Sequence, residues 1–220
     1  MRAFFDGAER LSLDATRLTG GREALAPEFL PSQQSPVFRS NGTYVPGAAD
    51  YQALAANGFR DYRLIVDGLV ARPLALSLPQ ILALPRRTQI TRHDCVEGWS
   101  AIGRWTGTPL GPVLRAAGLR PQARYIVFHC ADDYGPNKYY ESIDLIDAFH
   151  PQTILAYGLN GHHLPIPNGA PLRLRVERQL GYKHAKYVMR VEAVASLAGI
   201  GGGKGGYWED SSDYAWYAGI

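Results

Sequence analysis

Hydrophobic and polar residues alternate along much of the chain in short runs, a pattern typical of β-strands rather than long helices. Four segments show this alternation or a short apolar run: 62–66, 125–128, 172–177 and 186–194. Segment 87–95 is also predicted to be extended. Residues 153–159 and 162–166 flank an Asn-Gly pair, which favours a two-residue hairpin turn. Asp67-Gly68 is expected to turn the first strand into another hairpin. The pattern therefore predicts a β-rich domain.

Helical patterns are few and short. The clearest covers 110–117, with Thr108 expected as its capping residue, Pro109 at its first position and Gly118 beyond its last turn. Three further short helices are predicted: 14–18, 77–84 and 142–149. Regular strand–helix–strand alternation is absent, which disfavours a Rossmann-type sheet. We therefore predict a mixed α+β fold, rich in β-structure, with several short helices.

Composition divides the chain into three parts. Residues 1–60 are interrupted by glycine and proline and are expected to form an arm packed on the domain. Residues 61–198 form the domain core, and residues 199–220 form a tail that is rich in glycine and then in aromatic residues. A length of 220 residues and a hydrophobic share of 46% are sufficient for one medium-sized domain. The net charge of only +3 does not favour a general nucleic-acid-binding surface.

The amino-terminal residues contain no apolar signal segment, and we predict no membrane span from the sequence. We expect a periplasmic location if an export signal was removed upstream of Met1, and a cytoplasmic location otherwise. The two cysteines, Cys95 and Cys130, form no C-x-x-C pair. A zinc ribbon or a thioredoxin-type site is therefore not supported.

Candidate chemistry concentrates around Cys95, in segment 91–100 (Thr-Arg-His-Asp-Cys-Val-Glu-Gly-Trp-Ser). A thiolate binds soft metals and attacks electrophiles. His93 lies two positions before Cys95 and would share a strand face with it, as a cysteine hydrolase would require. The third residue that would orient such a pair is not identifiable. A buried, inert thiol is the other interpretation of Cys95.

The sequence suggests two candidate metal sites, a zinc site and a thiolate-ligated metal cofactor. His162 and His163 are adjacent and would point to opposite faces of a strand, which does not favour zinc. A thiolate-ligated metal cofactor with an anionic tail would instead combine Cys95 with cationic side chains and backbone amides. The candidates for that role are Asn168, Arg173, Arg175, Lys183 and Lys186. Arg173 and Arg175 would equally suit a solvated sheet face.

Taken together, these segments resemble the sulfite-oxidase-like molybdenum enzymes. Four motifs carry the resemblance in the family's order: 38–42 (Phe-Arg-Ser-Asn-Gly), 93–100 with 105–107 (Trp-Thr-Gly), 167–174 (Pro-Asn-Gly-Ala-Pro-Leu-Arg-Leu) and 181–187 (Gly-Tyr-Lys-His-Ala-Lys-Tyr). The resemblance implies the sulfite-oxidase-type molybdopterin-binding fold. It also implies an oxidoreductase with one Mo–molybdopterin per chain and no heme in this chain.

The resemblance further implies roles for individual residues. Cys95 would ligate molybdenum, since a soft thiolate suits a sulfur-rich site. The residues implied in holding the pterin and its phosphate are Phe38, Arg39, Asn41, Asn168, Arg173, His184, Ala185 and Lys186. Cys130 stands where relatives have a small residue near the cofactor. Trp99 is a candidate catalytic residue, and with Trp105 it would either shape an aromatic pocket for a neutral substrate or belong to the core.

The sequence departs from sulfite oxidases proper shortly after the cysteine. Where those enzymes carry arginines that bind the oxyanion, this chain has Gly98, Trp99 and Ser100. The segment Val-Glu-Gly-Trp-Ser is closer to the branch of bacterial protein-methionine-sulfoxide reductase catalytic subunits, which are exported and take electrons from a membrane heme partner. We expect a monomeric bacterial enzyme that acts on a sulfoxide or N-oxide with such a partner. Sulfite-type oxidation and a non-catalytic molybdopterin-binding role stay open.

Overall fold

The computed structural model describes residues 24–135 and 137–220, together with residues 11, 14 and 15. The predicted helix 14–18 therefore lies outside the described residues except for its first two. The strands are β1 (Arg63–Gly68), β2 (Leu74–Ser77), β3 (Arg87–Cys95), β4 (Trp99–Pro109), β5 (Tyr125–Tyr134), β6 (Asn137–Asp144), β7 (Ile154–Leu159), β8 (His162–His163), β9 (Arg173–Arg175) and β10 (Val188–Val194). The α-helices are α1 (Ala49–Ala56), α2 (Leu78–Leu82), α3 (Leu110–Ala117), α4 (Leu145–Ala148) and α5 (Tyr207–Ser212).

The strands form two five-stranded sheets. The first has the order β2-β1-β10-β5-β6, and the second has the order β3-β4-β7-β8, with β9 also pairing with β7. The pairing of β1 with β10 is parallel, whereas β10 with β5 and β4 with β7 are antiparallel. The first sheet thus joins the first and last strands of the described chain. This arrangement confirms the predicted mixed, β-rich fold with short helices.

The largest cluster of buried apolar residues contains side chains from both sheets and from α3. α3 contributes Leu110, Val113, Leu114 and Ala117, which share one face of the helix and are all buried. Full burial of a leucine side chain contributes about 1.5–3 kcal/mol. β5 and β9 contribute residues to this core, and the candidate site is built at their ends and at the end of β3.

The ends of two helices test the predicted capping residues. Ser77 caps α2 as its hydroxyl accepts a hydrogen bond from the backbone N–H of Gln80, and α3 ends at Gly118 with a φ of +72°. Thr108 does not cap α3, contrary to the prediction. It still belongs to β4, and its hydroxyl donates to the carbonyl of Pro85 at 2.8 Å. The Thr108 hydroxyl bonds to a residue distant in sequence and is therefore not used to cap the helix.

The predicted helix 142–149 is largely wrong, because β6 continues to Asp144 and only Leu145–Ala148 is helical. Ser142 is fully buried, and its hydroxyl donates to the carbonyl of Gly205 at 2.5 Å. Asp67-Gly68 is not a hairpin turn either. Both residues lie in β1, where they pair in parallel with β10. The Asn160-Gly161 turn is confirmed, with positive φ at both positions.

The arm and the tail both pack on the domain in the part of the chain that the structure describes. Backbone hydrogen bonds join Phe29 to Ile90 and Ser35 to Ile102, so the arm runs along the second sheet. In the tail, the carbonyl of Ala218 accepts a hydrogen bond from the backbone N–H of Leu180 at 2.9 Å. The boundaries at 60 and 198 stay predictions. Among the described residues, no helix has the length and apolar character needed to cross a bilayer.

Candidate functional site

A cleft of about 160 Å³ lies beside the end of β3. Distant parts of the chain line it together. The lining residues are Asn41 and Gly42 from the arm, Cys95, Val96 and Glu97 at the end of β3, Asp132, Tyr134 and Tyr139 from β5 and β6, Tyr182, His184 and Lys186 before β10, and Trp208 and Tyr214 from the tail. Three of the four motifs noted in the sequence therefore contribute residues to one cavity.

Cys95 is the last residue of β3, and it pairs with Trp99 across the turn that leads to β4. Gly98 has a φ of +86°, a conformation that strains other residues, so glycine suits this reversal. Burial raises the pKa of the half-buried Cys95 thiol, while the backbone N–H of Glu97 acts in the opposite direction. The free thiol is therefore protonated at neutral pH and would lose its proton on binding a metal.

His93 does not activate Cys95 as a nucleophile. Its ring is buried, and its Nδ1 lies 2.9 Å from Nη1 of Arg175, which donates to it. Burial lowers the pKa of His93 well below its ordinary value, and the nearby guanidiniums of Arg173 and Arg175 lower it further. The other ring nitrogen, Nε2, faces the backbone at Gly181. The geometry and the raised thiol pKa therefore do not support a cysteine hydrolase.

Arg173 lies on β9 behind the cleft and is fully buried. Its Nη1 donates to the carbonyl of Asn168 at 3.2 Å, and its Nη2 donates to Oδ1 of Asn41 at 3.0 Å. Its Nε has no hydrogen-bond partner among the described residues. Burial and the neighbouring Arg175 lower the pKa of Arg173 to about 9. The guanidinium therefore lies in a place that favours an additional negative charge.

Lys186 is the cation that lines the cleft itself. Its Nζ is surrounded by four oxygens: Ser40 Oγ at 3.3 Å, Asn41 O at 2.7 Å, Thr43 O at 2.5 Å and Pro167 O at 2.7 Å. All four are neutral. Burial and then Arg173 lower the pKa of Lys186 to about 7, and Asp132 acts in the opposite direction. An anion bound in the cleft would raise this pKa again.

The other buried cations of the described chain pair with carboxylates. Arg175 donates to Glu177 at 2.5 Å, and the partly buried Arg178 likewise donates to Asp147 at 2.5 Å. Lys183 lies between Glu141, at 2.5 Å, and Glu209, at 2.7 Å. Arg173 and Lys186 thus differ from the rest, because no ion pair with a carboxylate is found for either among the described residues. Since a buried unpaired charge is costly, these two cations indicate a site for an anionic ligand.

Unpartnered polar atoms also gather around the cleft. Within the described residues, Asn168 Nδ2, Arg173 Nε and His184 Nδ1 are buried without a hydrogen-bond partner. His184 bonds through Nε2 to the carbonyl of Gln179 at 2.9 Å, which leaves Nδ1 as an acceptor. Leaving a buried polar group unsatisfied costs about 1–3 kcal/mol. The residues therefore fit a polar, anionic group that would supply the missing partners.

The other residues that the resemblance implies as cofactor contacts differ in how far they are buried. Phe38 packs edge-on against Trp105, with ring centroids 5.1 Å apart, while Arg39 is exposed. Ala185 is buried and accepts a backbone hydrogen bond from Leu174. Cys130 does not line the cleft. Successive side chains of β5 point to opposite faces of the sheet, and Cys130 points into the main core with Phe128.

Trp99 does not line the cleft either, although it neighbours Cys95. Its Nε1 donates to Oε2 of Glu97 at 2.9 Å, and its ring packs on Phe38 and His93. Trp105 is fully buried, and the guanidinium of Arg175 lies 4.4 Å from the centroid of its ring. Arg173 and Arg175 therefore belong to the interior and not to a solvated sheet face.

Two sets of lining residues were missed by the sequence analysis. The first is Asp132, whose pKa burial raises to about 7, although its own backbone amide and Lys186 act in the opposite direction. Its Oδ1 has no partner in the described part of the chain. The second set is aromatic and consists of Tyr134, Tyr139, Trp208 and Tyr214, which join Tyr182 of the fourth motif. The Cys-Ala-Asp-Asp segment after a buried strand was the available signal for Asp132; the tail carried no positional signal.

His162 and His163 are exposed at the end of the β7–β8 hairpin, as expected for turn residues. The described residues contain no group of three or more His, Cys, Asp or Glu side chains arranged to hold a metal ion. A metal at Cys95 would therefore depend on ligands that come with a cofactor.

Comparisons with known proteins agree with this geometry. The family model described as "Oxidoreductase molybdopterin binding domain" matches residues 51–197. The candidate protein-methionine-sulfoxide reductase subunit YedZ1 of Azospira oryzae is 42% identical over 195 residues, which are 89% of this chain and 68% of that protein. The protein-methionine-sulfoxide reductase catalytic subunit MsrP of Xanthomonas campestris is 38% identical over 143 residues, 60% of this chain and 44% of that protein.

A solved structure with a similar fold is the sulfane dehydrogenase SoxCD from Paracoccus pantotrophus. The likeness has a TM-score of 0.58 and 25% sequence identity, and it covers 62% of this chain and 39% of the SoxCD chain. The chain thus spans less than half the length of the MsrP and SoxCD proteins.

Proposed function

The chain belongs to the family of oxidoreductases with a molybdopterin-binding domain, and on that premise we propose that it reduces neutral sulfoxides of the methionine-sulfoxide type at a molybdenum held by Cys95. One observation carries the proposal. Arg173 and Lys186 are buried cations for which the described chain offers no carboxylate, and they adjoin the cleft that contains the Cys95 thiol. The names of the YedZ1 and MsrP relatives support the substrate class.

The side chains divide into groups with separate tasks. Cys95 Sγ would bind the metal, and Arg173 with Lys186 would hold the anionic part of the cofactor. Asn41, Asn168 and His184 would hydrogen-bond its heterocycle through atoms that lack partners or face the cleft. When bound, the molybdenum cofactor supplies a two-electron redox centre. Phe38, Arg39 and Ala185 stay predictions as cofactor contacts, whereas Cys130 lies in the core and does not line the cleft.

Reduction of a sulfoxide breaks its S–O bond, takes up two electrons and two protons, and releases a thioether and water. Asp132 Oδ1 is well placed to hold one of the protons, because it is buried in the cleft wall and has no partner among the described residues. With a pKa raised to about 7, this carboxyl is largely protonated in mildly acidic solution. The electrons must come from an external donor.

The test uses protein from a host that makes the molybdenum cofactor. We expect about one molybdenum and one pterin per chain, and oxidation of a reduced viologen dye that depends on methionine sulfoxide or dimethyl sulfoxide. Sulfite-dependent dye reduction without sulfoxide reduction would establish the oxidase alternative instead. A full complement of cofactor with neither activity would indicate a non-catalytic binding protein.

Replacement of Asp132 by Asn should change the pH profile of sulfoxide reduction. In the unchanged protein, kcat should fall as the pH rises through about 7, because the carboxyl loses the proton it would provide. The Asn variant should have a lower kcat at pH 6, by about 10- to 100-fold, and no decline in that range. Initial rates between pH 5.5 and 9 measure both effects. The same descending limb in the two proteins would assign the proton to another group.

A heme-containing electron donor and a monomeric state stay predictions from the sequence, as does a periplasmic location if an export signal was removed and a cytoplasmic one otherwise. Analytical ultracentrifugation and co-purification with membrane proteins from the native host would test the first two.

A further inference from the structure

The tail makes one side of the cleft aromatic. Trp208 on α5 and Tyr214 just after it both line the cavity that contains Cys95. Both residues lie beyond position 197, where the match to the family model ends. The general molybdopterin-binding domain therefore does not account for this side of the site.

The tail rings are continuous with rings of the domain. Trp208 and Tyr214 are stacked with centroids 6.0 Å apart, and Tyr214 lies 5.0 Å from Tyr182. Trp208 also packs edge-on against Tyr134 at 5.6 Å. These four rings face the cleft together, and we call them the aromatic wall.

The tail is firmly attached at the points that hold this wall. Glu209 on α5 pairs with the buried Lys183 at 2.7 Å. Tyr182 donates to the carbonyl of Ala215 at 2.5 Å, and Trp216 donates through Nε1 to Ser142 Oγ at 2.8 Å. The aromatic wall is therefore in place before a substrate binds. The entropy of ordering these side chains is lost on folding and does not weaken substrate binding.

The same cleft is also lined by the polar residues Lys186, His184 and Asp132, which would face the cofactor. The lining thus offers two different kinds of chemistry. We infer that the tail determines the substrate class, with the methyl and methylene groups and the sulfur of a neutral dialkyl sulfoxide packed against Trp208 and Tyr214. This inference rests on the proposed function. Sulfur makes favourable contacts with aromatic rings, whereas a hydrated oxyanion such as sulfite gains little from them.

Trp208→Leu tests the inference in the cofactor-loaded protein, with Trp216→Phe as the matched control in the same tail. Trp208→Leu should raise KM for methionine sulfoxide about 3- to 10-fold with little change in kcat. KM for trimethylamine N-oxide, which lacks sulfur, should change less. Trp216→Phe keeps an aromatic ring outside the cleft and loses only the hydrogen bond to Ser142, while the attachments at Glu209 and Tyr182 remain, so both KM values should stay unchanged. An unaltered KM for methionine sulfoxide in Trp208→Leu would overturn the role of the tail.

A binding measurement separates this inference from the proposed activity. N-acetylmethionine sulfoxide added without an electron donor should change the tryptophan fluorescence saturably, and Trp208→Phe should remove that change while Trp216→Phe retains it. Saturable binding that depends on Trp208 in a protein without sulfoxide reductase activity would uphold the wall and reject the reaction. Sulfoxide reduction with no fluorescence response and no KM effect at Trp208 would uphold the reaction and reject the wall.

Discussion

The Cys95→Ser variant should fold as the parent protein does and lose sulfoxide reduction by more than about 100-fold, since even a residue that only orients a metal ligand costs 10- to 100-fold when replaced. The serine hydroxyl is a hard donor with a much higher pKa than a thiol, so it is a poor partner for a soft, sulfur-rich site. Cys95 is half-buried at a strand end, which leaves the core unaffected. Steady-state kcat/KM with a viologen donor and molybdenum content per chain measure the outcome.

Cys130→Ala provides the matched control. Cys130 is the other cysteine of the chain, but it lies in the main core and not in the cleft. We expect this variant to keep its activity and its molybdenum, with a modest decrease in the free energy of unfolding from the small cavity. Full activity in Cys95→Ser, or an equal loss in the two variants, would contradict the assignment of Cys95 as the metal ligand.

Lys183→Met should lower the free energy of unfolding by about 3–5 kcal/mol, because it removes the only cation found between two buried carboxyl groups in the described residues. Burial, and then Glu209, raise the pKa of Glu141, whereas Lys183 lowers it. Without the lysine, the pKa of Glu141 would rise further in the folded state. The folded variant would then bind more protons than the unfolded chain, and its deficit should shrink as the pH falls from 7 towards 5.

Lys204→Met is the control for this experiment, since Lys204 pairs with Asp213 at the surface of the same tail. An exposed pair of this kind contributes roughly 0–1 kcal/mol. Urea denaturation at pH 7 and pH 5 compares the two variants. Equal destabilisation by both, or a Lys183→Met deficit that does not change with pH, would show that the buried triad does not stabilise the fold as described.

The second sheet illustrates how far local pattern determines the fold. Segment 87–95 was predicted as extended, with the bounds that β3 has, and its β-branched residues Thr88, Ile90 and Thr91 favour a strand. The Asn160-Gly161 hairpin was also predictable, since the turn demands positive φ and these residue types adopt it readily. Both features depend on neighbours in sequence.

The wrong predictions occur where residues distant in sequence determine the local structure. Ser142 lies in a strand because Gly205 and Trp216, both in the tail, satisfy its hydroxyl. Nothing near Ser142 in the sequence reveals those partners. Thr108 likewise contacts Pro85 instead of capping the next helix.

The candidate site was only partly accessible to sequence reasoning for the same reason. Cys95, Asn41 and Lys186 were recognised through motifs, and the structure brings them into one cleft. The aromatic residues of that cleft could not be foreseen, because Trp208 and Tyr214 reach it through the fold of the tail. Trp99, the aromatic residue next to Cys95 in sequence, instead packs on Phe38 and His93.

The four oxygens around Lys186 have a consequence for how the protein is assembled. Three of them belong to the arm, at Ser40, Asn41 and Thr43, so the same ammonium that would hold the cofactor also fastens the arm over it. An ammonium has only three N–H groups, and every hydrogen bond given to an incoming phosphate must be withdrawn from one of these oxygens. Binding of a cofactor phosphate at Lys186 would therefore weaken the hydrogen bonds that hold the arm. We therefore expect the cofactor to bind before the arm has fully packed against Lys186, so that cofactor insertion is part of folding and does not follow it.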